Sequence, residues 1–335
     1  MRDVRQSINP NSTRFIDLLR TCIRRKNLSY STEKTYVQWI LRYIRFHKMR
    51  HPKEMGKLEV EQYLQSMASP GQYSPSTQRV ALNALVFLYR SYIQKELGEL
   101  NYTPARGRSK VPVVFSKREI GLIIGQLKGK YALAVELLYG AGLRISEVTK
   151  LRIKDIDFDL NRIIVCEGKG NKDRMTILPK ASVERLKIQI AIATSIHNED
   201  LANGHGEVIL PNALNRVYLS ASKELNWQFV FPASELSLDN NTKNLIRHHI
   251  DESTLRRMIK PAILRAGINK AASTHSFRHS FATHMLQEGC NIKKLQELLG
   301  HSNIQTTAIY TQTIELAKVT SPLDALRHSE AKIST

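Results

Sequence analysis

Apolar positions recur at helical spacing through most of the first hundred residues. Val37, Ile40, Leu41 and Ile44 form an i, i+3, i+4, i+7 stripe, with Ser31 placed to cap its start. Ser74-Pro75 opens another helix, with Pro at the first position, that runs on through Leu82, Leu85, Leu88 and Tyr92. The spacing predicts an all-helical segment over residues 12–99. The pattern breaks at Thr103–Pro112, which holds two Pro, one Gly and three basic residues and reads as an exposed linker. The expected organisation is a helical domain over 1–104, a basic linker over 105–112 and a second domain over 113–335.

The second domain mixes periods. Ser116 and Glu119 form a capping box, and a helix carrying Leu133, Leu137 and Leu138 stops at Gly140-Ala141-Gly142. Arg162–Glu167 and Met175–Leu178 have β-branched character and flank Gly168-Lys169-Gly170-Asn171-Lys172-Asp173, a hairpin with a Gly-rich basic loop. Its spacing is not that of a P-loop. Residues 197–252 lack periodicity and read as an insertion with a short helix or two. Helical spacing returns from Ser253 with Leu255, Met258, Ile259 and Ile263. After Tyr310 a short apolar run (Ile314, Leu316, Ala317, Val319) suffices for one small docking helix in a tail over about 313–335. The fold class expected is mainly α for the first domain. The second is α/β, mostly helical with a small antiparallel sheet.

Candidate chemistry gathers between 274 and 310. His275 and Arg278 share a helix face behind a Thr274 cap. Gly300 ends an apolar helix, His301 follows, and Ser302–Gln305 reads as a capping box with Tyr310 two turns further on. Two imidazoles, a guanidinium and a phenol suit phosphoryl transfer: Arg clamps oxygens, His moves protons, Tyr can be a covalent nucleophile. A zinc site is disfavoured, because His275 and His279 lack an H-E-x-x-H glutamate and any nearby Cys or carboxylate cluster. Arg144 lies between small residues and an apolar helix, with Glu147 three residues on as the bland explanation. Lys169 at a hairpin tip suits a proton donor to a leaving oxygen.

Charge narrows the partner. Fifty Lys+Arg against 30 Asp+Glu give a net charge of +20, an excess that points to nucleic acid. Arg42, Arg45 and Lys48 beside the first stripe, Lys110 in the linker and Lys172 and Arg174 at the hairpin are the candidate phosphate contacts. No stretch approaches the ~18 apolar residues of a membrane span, and the first residues lack an apolar signal core, so a cytoplasmic protein is expected. Cys22, Cys166 and Cys290 are too scattered for a disulfide framework and read as reduced, mostly buried thiols.

The ordered set Gly142–Glu147, Gly168–Arg174, His275–His284, Leu298–His301 and Ile309–Thr311 resembles the motif set of the tyrosine recombinases. Within that family, Trp227–Ser253 is similar to the segment that distinguishes integron integrases, although Asn240 stands where relatives often have Pro. Gln312 likewise stands where many have His. The resemblance implies a SAM-like core-binding domain and a catalytic domain that form a C-shaped clamp on DNA. It also implies homotetramers on two sites, joined by C-terminal docking. Arg144, Lys169, His275, Arg278, His301 and the nucleophile Tyr310 would be catalytic, with no cofactor or metal. Trp227, Arg247, His248 and His249 would read bases protruding from folded single-stranded hairpin sites, during insertion and excision of gene cassettes. A Xer-like or phage-type recombinase on duplex sites is the nearest alternative; a non-catalytic DNA-binding protein leaves Tyr310 without a role.

Overall fold

The computed structural model describes residues 7–69, 71–106, 112–166, 173–210, 220–239 and 242–301. Two compact units divide the chain, Met1–Lys110 and Val111–Thr335. The first unit is helical, with α1 (Phe15–Arg25), α2 (Tyr30–Phe46), α3 (Lys57–Met67) and α4 (Pro75–Phe87), the last widening into a π-helical stretch over Leu88–Ile93. Leu19, Ile23, Ile40, Leu64, Leu85 and Leu88 are fully buried at its centre. Tyr89 donates from that core to the Pro52 carbonyl at 3.2 Å and so accepts from the Tyr43 hydroxyl at 2.8 Å.

Ser74 caps α4 as the pattern predicts. The α2 cap, however, is Ser29 rather than Ser31: its hydroxyl accepts from the Thr32 amide at 3.2 Å. The earlier start places the buried Glu33 in the first turn, where Arg24 donates to both carboxylate oxygens at 2.9 Å. Arg42, Arg45 and Lys48 are exposed, and the Arg42 guanidinium lies 4.7 Å over the Trp39 ring.

In the second unit α5 (Lys117–Gly125) starts at the Ser116–Glu119 capping box. Next comes α6 (Gly129–Gly140), apolar around most of its circumference and buried from Ala132 to Val135 and at Leu137 and Leu138, with Glu136 paired to Arg185. It packs against α5, α7 (Ile145–Thr149), α8 (Val183–Ala202), α9 (Glu252–Arg265) and α10 (Thr274–Gln287). Leu133, Leu137 and Leu138 join Ile163, Phe231, Leu255 and Phe277 in one core. The last described helix is α11 (Ile292–Leu299), closed by Gly300 in the left-handed region.

Two small antiparallel sheets flank the helices. One has the order β1 (Ile156–Asp157), β2 (Arg162–Val165), β3 (Arg174–Ile177), so the expected hairpin gains an edge strand too short to show alternation. The other is β4 (Pro232–Leu238) with β5 (Leu245–His249), bulged between Pro232 and Leu236. The described residues of 197–252 do hold two short helical turns, both 3-10, at Ser220–Lys223 and Leu225–Trp227, but this hairpin was not expected there. The strand pattern is hidden because β4 shows polar residues to solvent and β5 buries a charge, Arg247, against Asp200. The thiols also differ from expectation: Cys166 is exposed, and Cys22 and Cys290 are only half-buried. No helix among the described residues is long and apolar enough to cross a membrane.

Candidate active site

Gly142 makes the site's entrance. Its φ of +62° turns the chain out of α6, and a Cβ there would lie 2.5 Å from the Phe281 ring, so only glycine fits. Two residues on, Arg144 begins α7. Its amide donates to Glu147 Oε2 at 2.7 Å and its guanidinium to Oε1 at 2.6 Å. The pairing expected from spacing is therefore present, but Glu147 is not Arg144's alone. Arg174 forks onto the same carboxylate at 2.8 and 2.7 Å, and Arg278 approaches it at 3.8 Å. Burial alone would raise the Glu147 pKa; the hydrogen bonds and charge of Arg174, with those of Arg144, hold it down at about 2. The carboxylate is thus ionised and surrounded by three cations.

Arg278 and His275 lie on α10, whose cap is Ser273 rather than Thr274. The Ser273 hydroxyl accepts from the His275 amide at 3.2 Å, and Thr274 is buried in the first turn. The one-residue shift keeps His275 and Arg278 three apart on one face. Arg278 is buried and donates to the carbonyls of Gly142 at 2.6 Å and Leu299 at 2.5 Å. It also meets His301 Nε2 at 3.1 Å. A guanidinium cannot accept, so Nε2 is the acceptor and the ring proton sits on Nδ1. Burial first, then the charges of Arg278, Arg144 and Arg174, depress the His301 pKa to about 4. His275, on the exposed side, is lowered by desolvation and then by Arg278, Arg256 and Arg144. Of the six candidate catalytic residues, Arg144 and Arg278 share the Glu147 carboxylate, His301 joins them through Arg278, and His275 lies near enough to feel the charge of both arginines. Lys169 and Tyr310 lie outside the described residues, as do Lys110 and Lys172.

A second cleft, of about 290 Å³, opens beside β5. Trp227, His248 and His249 all line it, together with Arg152, Lys154 and Phe229. Trp227 is half-buried, with Lys154 Nζ 4.3 Å and the Arg152 guanidinium 5.5 Å over its ring. The His248 and His249 rings lie 4.2 Å apart against Phe229. Burial, then His248 and Lys150, push His249 down to about 4. Arg247 does not join them. It forks onto Asp200 at 2.8 and 2.5 Å and donates to the Ala233 and Ser234 carbonyls, contacts that tie β5 to α8 and β4. Sequence reasoning missed Arg152, Lys154 and Phe229; the only signal was cation–apolar alternation in Leu151–Asp155.

These histidines make stability pH-dependent. A neutral His held near 4 binds fewer protons folded than unfolded between about pH 6.5 and 4, so acid favours unfolding. Urea midpoints should be level from pH 8 to 7 and fall below about 6.5. His249 and His301 should each steepen the fall by at most about 1.4 kcal/mol per pH unit. His301→Gln should flatten the slope; an unchanged slope would mean that the protein does not hold this ring neutral.

Comparison with known proteins matches the second unit over residues 115–315 to the Phage integrase family and residues 15–99 to its N-terminal SAM-like domain. An Integrase/recombinase of Escherichia coli is 42% identical over 318 residues, 94% of each chain. A Tyrosine recombinase of Thermosipho africanus is 36% identical over 217 residues, 64% of this chain and 62% of its own. The crystal structure of the XerH site-specific recombinase bound to its difH substrate aligns with a TM-score of 0.57 at 20% identity, over 92% of this chain and 85% of that one, a likeness of fold.

Proposed function

The chain belongs to the phage integrase family of tyrosine recombinases, enzymes of site-specific recombination, and on that premise we propose that it is an integron integrase acting on DNA through Tyr310. The observation that carries the catalytic part is the cluster itself. Arg144 and Arg278 share Glu147, and Arg278 touches His301.

The Tyr310 oxygen attacks a backbone phosphorus, and the bond to the 5′ oxygen breaks. The products are a 3′-phosphotyrosine and a free 5′-hydroxyl. His275, neutral at pH 7, takes the phenol proton, and Lys169 gives one to the departing oxygen. Arg144 and Arg278 neutralise charge that develops on the non-bridging oxygens, and His301 donates from Nδ1. Attack by a partner strand's 5′-hydroxyl reverses the step and releases Tyr310. The ester conserves the bond energy, so the exchange needs neither ATP nor a metal. Four copies on two DNA sites complete it, with the tail beyond 313 docking between neighbours.

The second cleft supports the subfamily. An unpaired base offers two π-faces and a polar edge; Trp227, His248 and His249 offer stacking surfaces, and Arg152 and Lys154 offer charge for the adjoining phosphate. Folded single-stranded hairpins present such bases, and regular duplex does not.

Trp227→Ala should therefore weaken binding to a hairpin site about 5- to 150-fold, the worth of one stacked base, and leave duplex affinity little changed. The comparison that decides it is one hairpin with its protruding bases and the same hairpin without them. Equal recombination of both by the unaltered protein would make it a Xer-like or phage-type enzyme on duplex sites.

A further inference from the structure

Arg174, expected from its place beside the basic loop to hold DNA, has its guanidinium turned inward. Its side chain is 8% exposed. Three of its donors are engaged: two with Glu147, at 2.8 and 2.7 Å, and Nε with the Leu298 carbonyl at 2.9 Å. We propose that Arg174 is a positioning residue for strand cleavage, setting Arg144 and Arg278 through Glu147 and His301 through the end of α11. The proposal rests on the catalytic reading above and extends it to a residue that touches no DNA.

Geometry supports the first part. A fork–fork pair fixes the plane of the carboxylate. The Glu147 lone pairs that remain then point at Arg144, 2.6 Å away, and toward Arg278. Charge supports it too. Were Glu147 served by Arg144 and Arg278 alone, its negative charge would cancel half their field. Arg174 supplies the compensating cation: three positive charges against one leave two for a phosphate whose own charge grows from one toward two as phenolate attacks.

The second part concerns the carbonyls left unpaired at a helix C-terminus. Arg174 takes Leu298's, and Arg278 takes Leu299's. The Arg174 stem lies so close to Gly300 that a Cβ there would sit 2.6 Å from Cδ. His301 follows immediately. The imidazole is thus placed by two guanidiniums, one from β3 and one from α10. Lysine keeps the charge but cannot reach Glu147 and the Leu298 carbonyl together.

The test uses the full chain on a nicked recombination site, with Arg174→Lys and Arg174→Gln as variants. The measurements are single-turnover adduct formation, single-site binding across salt and thermal melting. Cleavage is also measured with a neutral methylphosphonate at the scissile position. Arg174→Lys should cleave about 10- to 100-fold more slowly, as for a small misplacement of catalytic groups, with binding and its salt slope unchanged. The defect should shrink on the neutral linkage, where the arginines have less charge to offset. Weaker binding with a salt slope lower by about one would make Arg174 a phosphate contact and overturn the proposal. An equal defect on both linkages with a lower melting temperature would make it merely structural, and unaltered cleavage in both variants would also refute it. A wild-type chain that forms no adduct on any substrate would remove the catalytic reading, and this role with it.

Discussion

Tyr310→Phe is expected to bind recombination sites normally and to form no covalent adduct with them. The substitution removes one oxygen, the attacking atom, and nothing else. Where a covalent nucleophile is lost the rate falls on the order of 10⁶-fold, below detection in an overnight incubation. Binding depends on charge and surface, which Phe preserves. Denaturing gels with end-labelled DNA read the difference directly. Residual cleavage by the variant at a hundredth of the normal rate or more would assign the nucleophile elsewhere.

The two arginines should give the next largest losses, and they should differ from one another. Arg144→Ala and Arg278→Ala should each lower cleavage on the order of 10²-fold or more, the effect of removing a preorganised charge stabiliser. Arg144 is 21% exposed and its main partner is Glu147, so its loss should leave melting nearly unchanged. Arg278 is buried, and its removal strands the carbonyls of Gly142 and Leu299 without a donor. A stability loss on the order of 2–5 kcal/mol should accompany the kinetic one. Measured together, melting and single-turnover rates separate the two effects. Near-normal cleavage by a folded Arg144→Ala protein would take that residue out of the site.

Which parts of the site were legible in the sequence follows from how local each interaction is. His275 and Arg278 could be paired because three residues of helix put them on one face, whichever neighbour caps it. The caps themselves were displaced, from Ser31 to Ser29 and from Thr274 to Ser273, because adjacent hydroxyl residues all suit the position. Arg144 stood out as a long cation among small residues. Arg174 and Arg247 each hold a carboxylate that local sequence did not suggest, and for one reason. Each sits in a basic or polar stretch that looks solvated, yet finds its carboxylate far along the chain: Glu147 is 27 residues before Arg174, and Asp200 is 47 before Arg247. The same long reach hid the cleft, where Lys150–Lys154 meets Trp227 and β5 only once the sheet has formed. The helical first unit was legible because its stripes are long and regular. The β4–β5 hairpin was not, since its strands are short, bulged and polar on one side.

If this chain cuts DNA by joining it to Tyr310, the linked residue can be read directly. The protein should be incubated with a nicked hairpin site, denatured and digested with trypsin, and the DNA-linked peptide identified by mass spectrometry. A nucleotide should be attached through its 3′-phosphate to the peptide Leu295–Lys318, with fragmentation placing the mass on Tyr310. DNA linked to any other residue, or no linked peptide while the strands are nevertheless cut, would contradict it.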